Sequence, residues 1–244
     1  ESLKGFVEAG NVTGIGTDRF KIGPLKMLGD GALGARTAFL SRPYADDPST
    51  CGIPVFTQET MDEMIGYANA HGMQAAVHTI GDACLDRVLS AYEKALAENP
   101  REDHRHGIVH CQITRADQLE KIAKMHLHVY AQSIFLDYDN HIVEERVGKE
   151  LASTSYSWKT LMNNGVSVSN GTDCPVELPD AVRCHKNNAA RPRRPVPAGS
   201  EIHRTGSTRQ LHNPQRRGKF RGERERPDRR RHDGRLRRTG SESV

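Results

Sequence analysis

Four polar residues stand in or just after short apolar runs. Lys26 lies within KIGPLKML, His78 follows AAV, His110 follows GIV, and Asp173 comes directly after SVSNGT. If one surface gathers them, two imidazoles, a carboxylate and an amine form a site for a divalent cation. Neutral imidazole suits Zn²⁺, and an open coordination position lowers the pKa of bound water toward ~7. Asp173 could hold that water and take its proton as general base. Singly, each residue has an ordinary structural use. A histidine can be a hydrogen-bonded core residue, an aspartate can start a helix or cap a turn, and a lysine can snorkel from a strand end. Their joint placement on successive strand ends favours the metal reading, because separate structural accidents would not choose one rim.

The elements that must position them alternate. Apolar runs predict strands at Lys21–Leu28, Gln74–Ile80, Arg105–Cys111, His128–Phe135 and Val166–Thr172. The first contains Pro24 and closes with the turn Gly29-Asp30-Gly31. A long loop rich in Pro, Asp and Gly follows, from Arg42 to Pro54. Thr57 reads as a helix N-cap, with Met61, Met64, Ile65 and Ala68 at helical spacing and Gly72 as the stop. Asp82 reads as the cap of a second helix carrying Leu85, Val88, Leu89, Tyr92 and Leu96 on one face, and Thr114 as the cap of a third. A polar excursion then precedes a short helix in SYSWKTLMNNG. Strand–helix alternation predicts a parallel sheet with helices outside, either a (β/α)₈ barrel or an open doubly wound sheet. No glycine-rich phosphate loop opens any helix, so nucleotide binding has no support. In a barrel, the four residues would converge at the C-terminal face of the strands.

Composition divides the chain in two. Residues 1–182 hold 16 Lys and Arg against 25 Asp and Glu, whereas residues 183–244 hold 19 against 6. The second part is rich in Arg, Pro and Gly and has almost no aliphatic runs, so disorder is expected from about residue 181 onward. Five cysteines (Cys51, Cys84, Cys111, Cys174, Cys184) show neither CxxC spacing nor scaffold density, which predicts reduced thiols and a cytoplasmic location. The chain begins at Glu1 without a signal pattern, and no apolar stretch approaches the ~18 residues that a membrane span requires.

The segments KMLGDGALGARTAFL, AAVHTIGD, GIVHCQ and SNGTDCPVELP, in that order, resemble the third amidohydrolase family, the branch that includes N-substituted formamide deformylase. The resemblance implies an α/β fold, a partial (β/α)₈ barrel over residues 1–180 holding its fourth to eighth strands. It implies that Lys26 is the fourth-strand lysine, carboxylated so that it can bridge metals. His78 and His110 would be fifth- and sixth-strand ligands, and Asp173 the eighth-strand aspartate that binds metal and activates water. One or two divalent ions, Zn²⁺ by ligand type, and a small-molecule amide substrate follow from the same resemblance. The family's first-strand His-x-His pair is absent, along with strands one to three. A half barrel would leave two open sheet edges and aggregate readily, so the rival expectation is a non-catalytic fragment.

Near Asp180 the resemblance ends. Codon degeneracy in the tail permits, after a one-nucleotide shift, a string from Val196 onward that resembles the family's C-terminus. The choice is tight at Ile202, Phe220 and His232. Residues 181–244 are therefore expected to be out-of-frame translation. The alternative is a basic tail gripping nucleic-acid phosphates. With Phe220 as its one aromatic, the tail lacks the interleaving that base stacking needs.

Overall fold

The computed structural model describes residues 2–180; the disorder and frame-shift expectations for the tail lie outside the described residues. Five parallel strands form one sheet in chain order: β1 (Leu25–Leu28), β2 (Ala75–Thr79), β3 (Gly107–His110), β4 (His128–Ala131) and β5 (Ser167–Asn170). Helices α2 (Gln58–Ala70), α3 (Asp82–Glu98), α4 (Ala116–Lys124) and α7 (Trp158–Asn163) lie between successive strands, and α1 (Ser2–Glu8) precedes them. The architecture is α/β, a parallel sheet with strands in chain order and helices between them. Among the described residues, β1 and β5 each pair with one neighbour only.

Register explains why the core sits where it does. Met27, Val77, Ile108, Val129 and Val168 occupy one row across the five strands, and all are buried in the main core cluster. Strand side chains alternate between faces, so this row meets the helices. The rows on either side, Lys26-Ala76-Gly107-His128-Ser167 and Leu28-His78-Val109-Tyr130-Ser169, face the barrel interior. Gly107 has a packing reason: a Cβ there would lie 2.7 Å from the Tyr130 ring and 3.0 Å from the His128 carbonyl oxygen.

Several boundaries move inward for identifiable reasons. The strand expected from Lys21 starts at Leu25, because Pro24 has no N–H for a ladder and Lys21 pairs instead with Gly16. The strand expected from Arg105 to Cys111 is trimmed at both ends by left-handed residues, Arg105 (φ 54°) and Cys111 (φ 53°). The run expected to reach Phe135 turns into a 3₁₀ helix at Ser133–Phe135. Thr57 caps α2 as expected, its hydroxyl accepting from Thr60 N. Asp82 does not cap α3. It is the first helical residue, and its carboxylate takes the Ser41 N–H and hydroxyl and the Arg115 guanidinium. Thr114 does not cap α4 either; its hydroxyl donates to the Thr154 carbonyl, and Gln118 reaches back to the N–H of the true cap, Arg115.

The polar excursion after β4 holds α5 (Leu136–Asp139) and α6 (Val143–Thr154), a helix with a left-handed kink at Gly148 (φ 77°). Its buried Val143, Val147 and Leu151 recur every four residues. The long loop after β1 is tied down by ion pairs from Asp46 to Arg36 and Arg146, and by the Ala45 N–H on the Arg146 carbonyl. No described helix is long and apolar enough to cross a membrane. The four cysteines among the described residues, Cys51, Cys84, Cys111 and Cys174, are free thiols; Cys184 lies outside them.

Candidate metal centre

His78 is an interior residue of β2, level with Leu28 on β1. Its ring is oriented by the turn that closes β1: Nε2 lies 3.0 Å from the Gly31 carbonyl oxygen and 3.5 Å from Asp30 Oδ1. As a carbonyl oxygen only accepts, Nε2 carries the proton, and Nδ1 keeps the lone pair a metal would use. Asp30 is itself buried and accepts backbone N–H bonds from Phe39 (2.9 Å), Ile80 (3.0 Å) and Gly81 (2.7 Å). Burial raises its pKa, and those three donors and His78 pull the other way. In the sequence, Asp30 reads only as a turn residue.

His110 reaches the site by a different route. Its Cα is paired with Thr79, not His78, so strict alternation would turn its side chain toward the helices. Instead, His110 (φ 75°) and Cys111 (φ 53°) adopt consecutive left-handed conformations, which non-glycine residues rarely do. The turn brings the imidazole edge-on to His78, ring centroids 4.5 Å apart, and 5.9 Å from the Phe135 ring. Such strain persists where surroundings enforce it. Here the Trp158 indole N–H donates to both carbonyls of the turn, His110 O at 2.9 Å and Cys111 O at 3.1 Å.

Burial pushes the His110 pKa down to about 3, helped by the charges of His78 and Lys26, so the ring is neutral near pH 7. Asp173, also left-handed (φ 55°), follows β5 and brings Oδ2 to 3.9 Å from His110 Nε2. Lys26 lies one interior row below His78. Its pKa is lowered by burial, which the nearby Asp173 charge opposes. His78, His110 and Asp173 therefore lie at the C-terminal end of the sheet, whereas Lys26 stands on β1 level with the first residues of β3, β4 and β5, its amine within electrostatic reach of Asp173. Among the described residues, however, no three His, Cys, Asp or Glu side chains gather closely enough to hold an ion.

The model of the Amidohydrolase family matches residues 1–194. The chain belongs to that family. It is 39% identical over 160 residues to the protein YtcJ of Bacillus subtilis (strain 168), an amidohydrolase by name, covering 66% of this chain and 30% of that protein. It is 31% identical over 156 residues to Protein LONG AFTER FAR-RED 3 of Arabidopsis thaliana, covering 64% of this chain and 27% of that protein. An uncharacterized metal-dependent hydrolase from Pyrococcus furiosus superposes with a TM-score of 0.76 at 32% identity, over 88% of this chain and 44% of its own. The chain thus spans about 30% of the curated relatives it matches.

Within the amidohydrolase family, the donors present suit a divalent ion as part of a ligand set. His110 is buried and neutral, His78 has its Nε2 engaged, and the 3.9 Å between His110 Nε2 and Asp173 Oδ2 exceeds a hydrogen bond.

Proposed function

We propose that the amidohydrolase chain supplies the fourth to eighth strands of a metal-dependent hydrolase barrel that cleaves non-peptide C–N bonds, in amides or N-substituted formamides. The observation that carries this reading is the edge-on pair His78 and His110, with Asp173 beside the second ring. His78, His110 and Asp173 would hold a divalent ion, Zn²⁺ by donor type, and Lys26 would join them as a carbamate. Its burial favours the neutral amine from which a carbamate forms. A bound ion would polarise the scissile carbonyl and bring the pKa of water toward ~7.

The protein groups then have distinct parts. Asp173 takes the proton of the attacking water and returns it to the leaving nitrogen, so that the amine departs neutral. His78 and His110 would serve as imidazole ligands and take no part in the proton transfer. Reduced thiols fit the cytoplasmic location this reading assumes. Zn²⁺-dependent hydrolysis of N-substituted formamides by an intact homologue that carries the first-strand His-x-His pair, abolished when the aspartate corresponding to Asp173 is replaced by alanine and with the melting curve unchanged, is the expected result. Turnover that survives that replacement would remove the general-base role.

A second reading is favoured by one observation, the absence of a three-ligand cluster among the described residues. On that reading the chain alone binds metal weakly and turns nothing over. Zn²⁺ bound at one equivalent or more with activity would exclude it.

A further inference from the structure

Two of the buried side-chain atoms without a hydrogen-bond partner are His110 Nδ1 and Gln132 Oε1. They belong to adjacent strand ends. Val109 pairs with Tyr130, so the ends of β3 and β4 lie side by side and Gln132 follows directly after β4. Gln132 is itself buried, and its side chain acts on the His110 ring. Buried polar atoms rarely remain unpaired, and two such orphans on adjacent strand ends call for a physical account.

The neutral ring carries one hydrogen, and its two possible positions are not equivalent. With the hydrogen on Nε2, the Nδ1 lone pair would face an amide oxygen that can only accept, leaving both atoms unsatisfied. With the hydrogen on Nδ1, the same two atoms become donor and acceptor. Nε2 then presents its lone pair toward Asp173 Oδ2, 3.9 Å away, an arrangement that suits a cation between them. The other nitrogen of a metal-bound histidine is almost always engaged in this way, which fixes tautomer and ring direction.

We propose that Gln132 is the positioning residue for His110, its Oε1 accepting Nδ1–H and holding Nε2 as the ligand atom. The role of Nε2 rests on the metal-dependent reading above; the tautomer does not. Gln132 touches no reacting atom. It sets which nitrogen of His110 is available, while Trp158 sets the backbone from which the ring projects.

The full chain, labelled with ¹⁵N-histidine and free of metal, tests this through the long-range proton–nitrogen NMR pattern of its rings. The His110 ring is identified by its loss in His110→Gln. The expected result is an Nδ1–H ring in the wild type, retained in Gln132→Glu and replaced by Nε2–H or a mixture in Gln132→Met. Co²⁺ affinity should fall about 10–100-fold in Gln132→Met and be restored in Gln132→Glu. An Nε2–H ring in the wild type overturns the proposal whether or not the variants fold, as does a Gln132→Met chain with unchanged tautomer and affinity. If the wild-type ring is Nδ1–H but the chain binds no Co²⁺, the role of Gln132 stands and the metal-dependent reading fails.

Discussion

His78 and His110 face each other at 4.5 Å although the strand register assigns them to opposite faces of the sheet. The reconciliation is local. Two consecutive left-handed residues at the end of β3 reverse the direction of one side chain, and the site depends on that reversal being held. The groups that hold it lie behind the sheet. Trp158 is fully buried at the start of α7, and Tyr156, also left-handed, donates its N–H to the Gln112 carbonyl just beyond the turn.

Replacing Trp158 with Phe keeps most of the apolar volume and removes the one N–H that both carbonyls share. Leaving buried carbonyl groups unsatisfied costs about 1–3 kcal/mol. Urea unfolding should show a midpoint lowered accordingly with an unchanged slope. Co²⁺ binding should weaken beyond what the lost stability explains, because His110 is no longer held inward. Unchanged affinity in a folded Trp158→Phe chain would show that the turn holds itself.

Asp30 does for His78 what Trp158 does for His110, through charge. Its carboxylate collects three backbone N–H groups from two separate segments, Phe39 and Ile80–Gly81. The amide introduced by Asp30→Asn would turn an NH₂ group toward at least one of those donors. Hydrogen bonds to a charged acceptor are each worth about 1.5–3 kcal/mol, so the substitution should destabilise the chain by roughly 3 kcal/mol. A thermal melt within a degree of wild type would contradict that assignment.

The contrast between these two devices shows which parts were legible in the sequence. The existence of five strands came from apolar runs, their order followed only from the barrel that the family resemblance implied, and His78 and His110 stood out as the histidines that close two of those runs. The inward turn of His110 was not legible, because no glycine marks it and alternation predicts the opposite face. Asp30 looked like any turn aspartate, since its three donors come from segments about 10 and 50 positions away. Gln132 lay inside a run expected to continue as a strand. Helix α6 was hidden by its charges, although Val143, Val147 and Leu151 recur at a helical spacing that could have revealed it.

Metal binding should appear as stability. Any ligand bound by the native chain and not by the unfolded one stabilises by RT ln(1 + [L]/Kd), about 2.7 kcal/mol at one hundred times Kd. Zn²⁺ should therefore raise the unfolding midpoint, a chelator should reverse the shift, and His78→Ala should remove most of it. A shift of equal size in His78→Ala would place the ion elsewhere on the chain.

At the opposite end of the sheet, His106 makes the fold sensitive to acid. Its Nδ1 accepts the Ala75 N–H at 3.0 Å, so the neutral ring carries its hydrogen on Nε2, 3.1 Å from Asn69 Oδ1. Protonation would place a second hydrogen against the Ala75 donor, in a site closed to solvent and stacked between Tyr92 and His104. Burial, with the charges of His104 and Arg101, lowers the His106 pKa from 6.5 to about 3. A depressed histidine pKa means that the unfolded chain binds the proton more tightly. Its contribution is complete above pH 6.5 and is lost progressively as pH falls toward 3. At pH 5 the loss from this one group is about 2 kcal/mol, and His104, shifted the same way by burial, adds to it. Unfolding free energies measured from pH 7 to pH 4.5 should fall along that curve. In His106→Gln, whose amide can offer both a donor and an acceptor, the slope should flatten even where the absolute stability drops. An unchanged slope would assign the acid sensitivity to other groups.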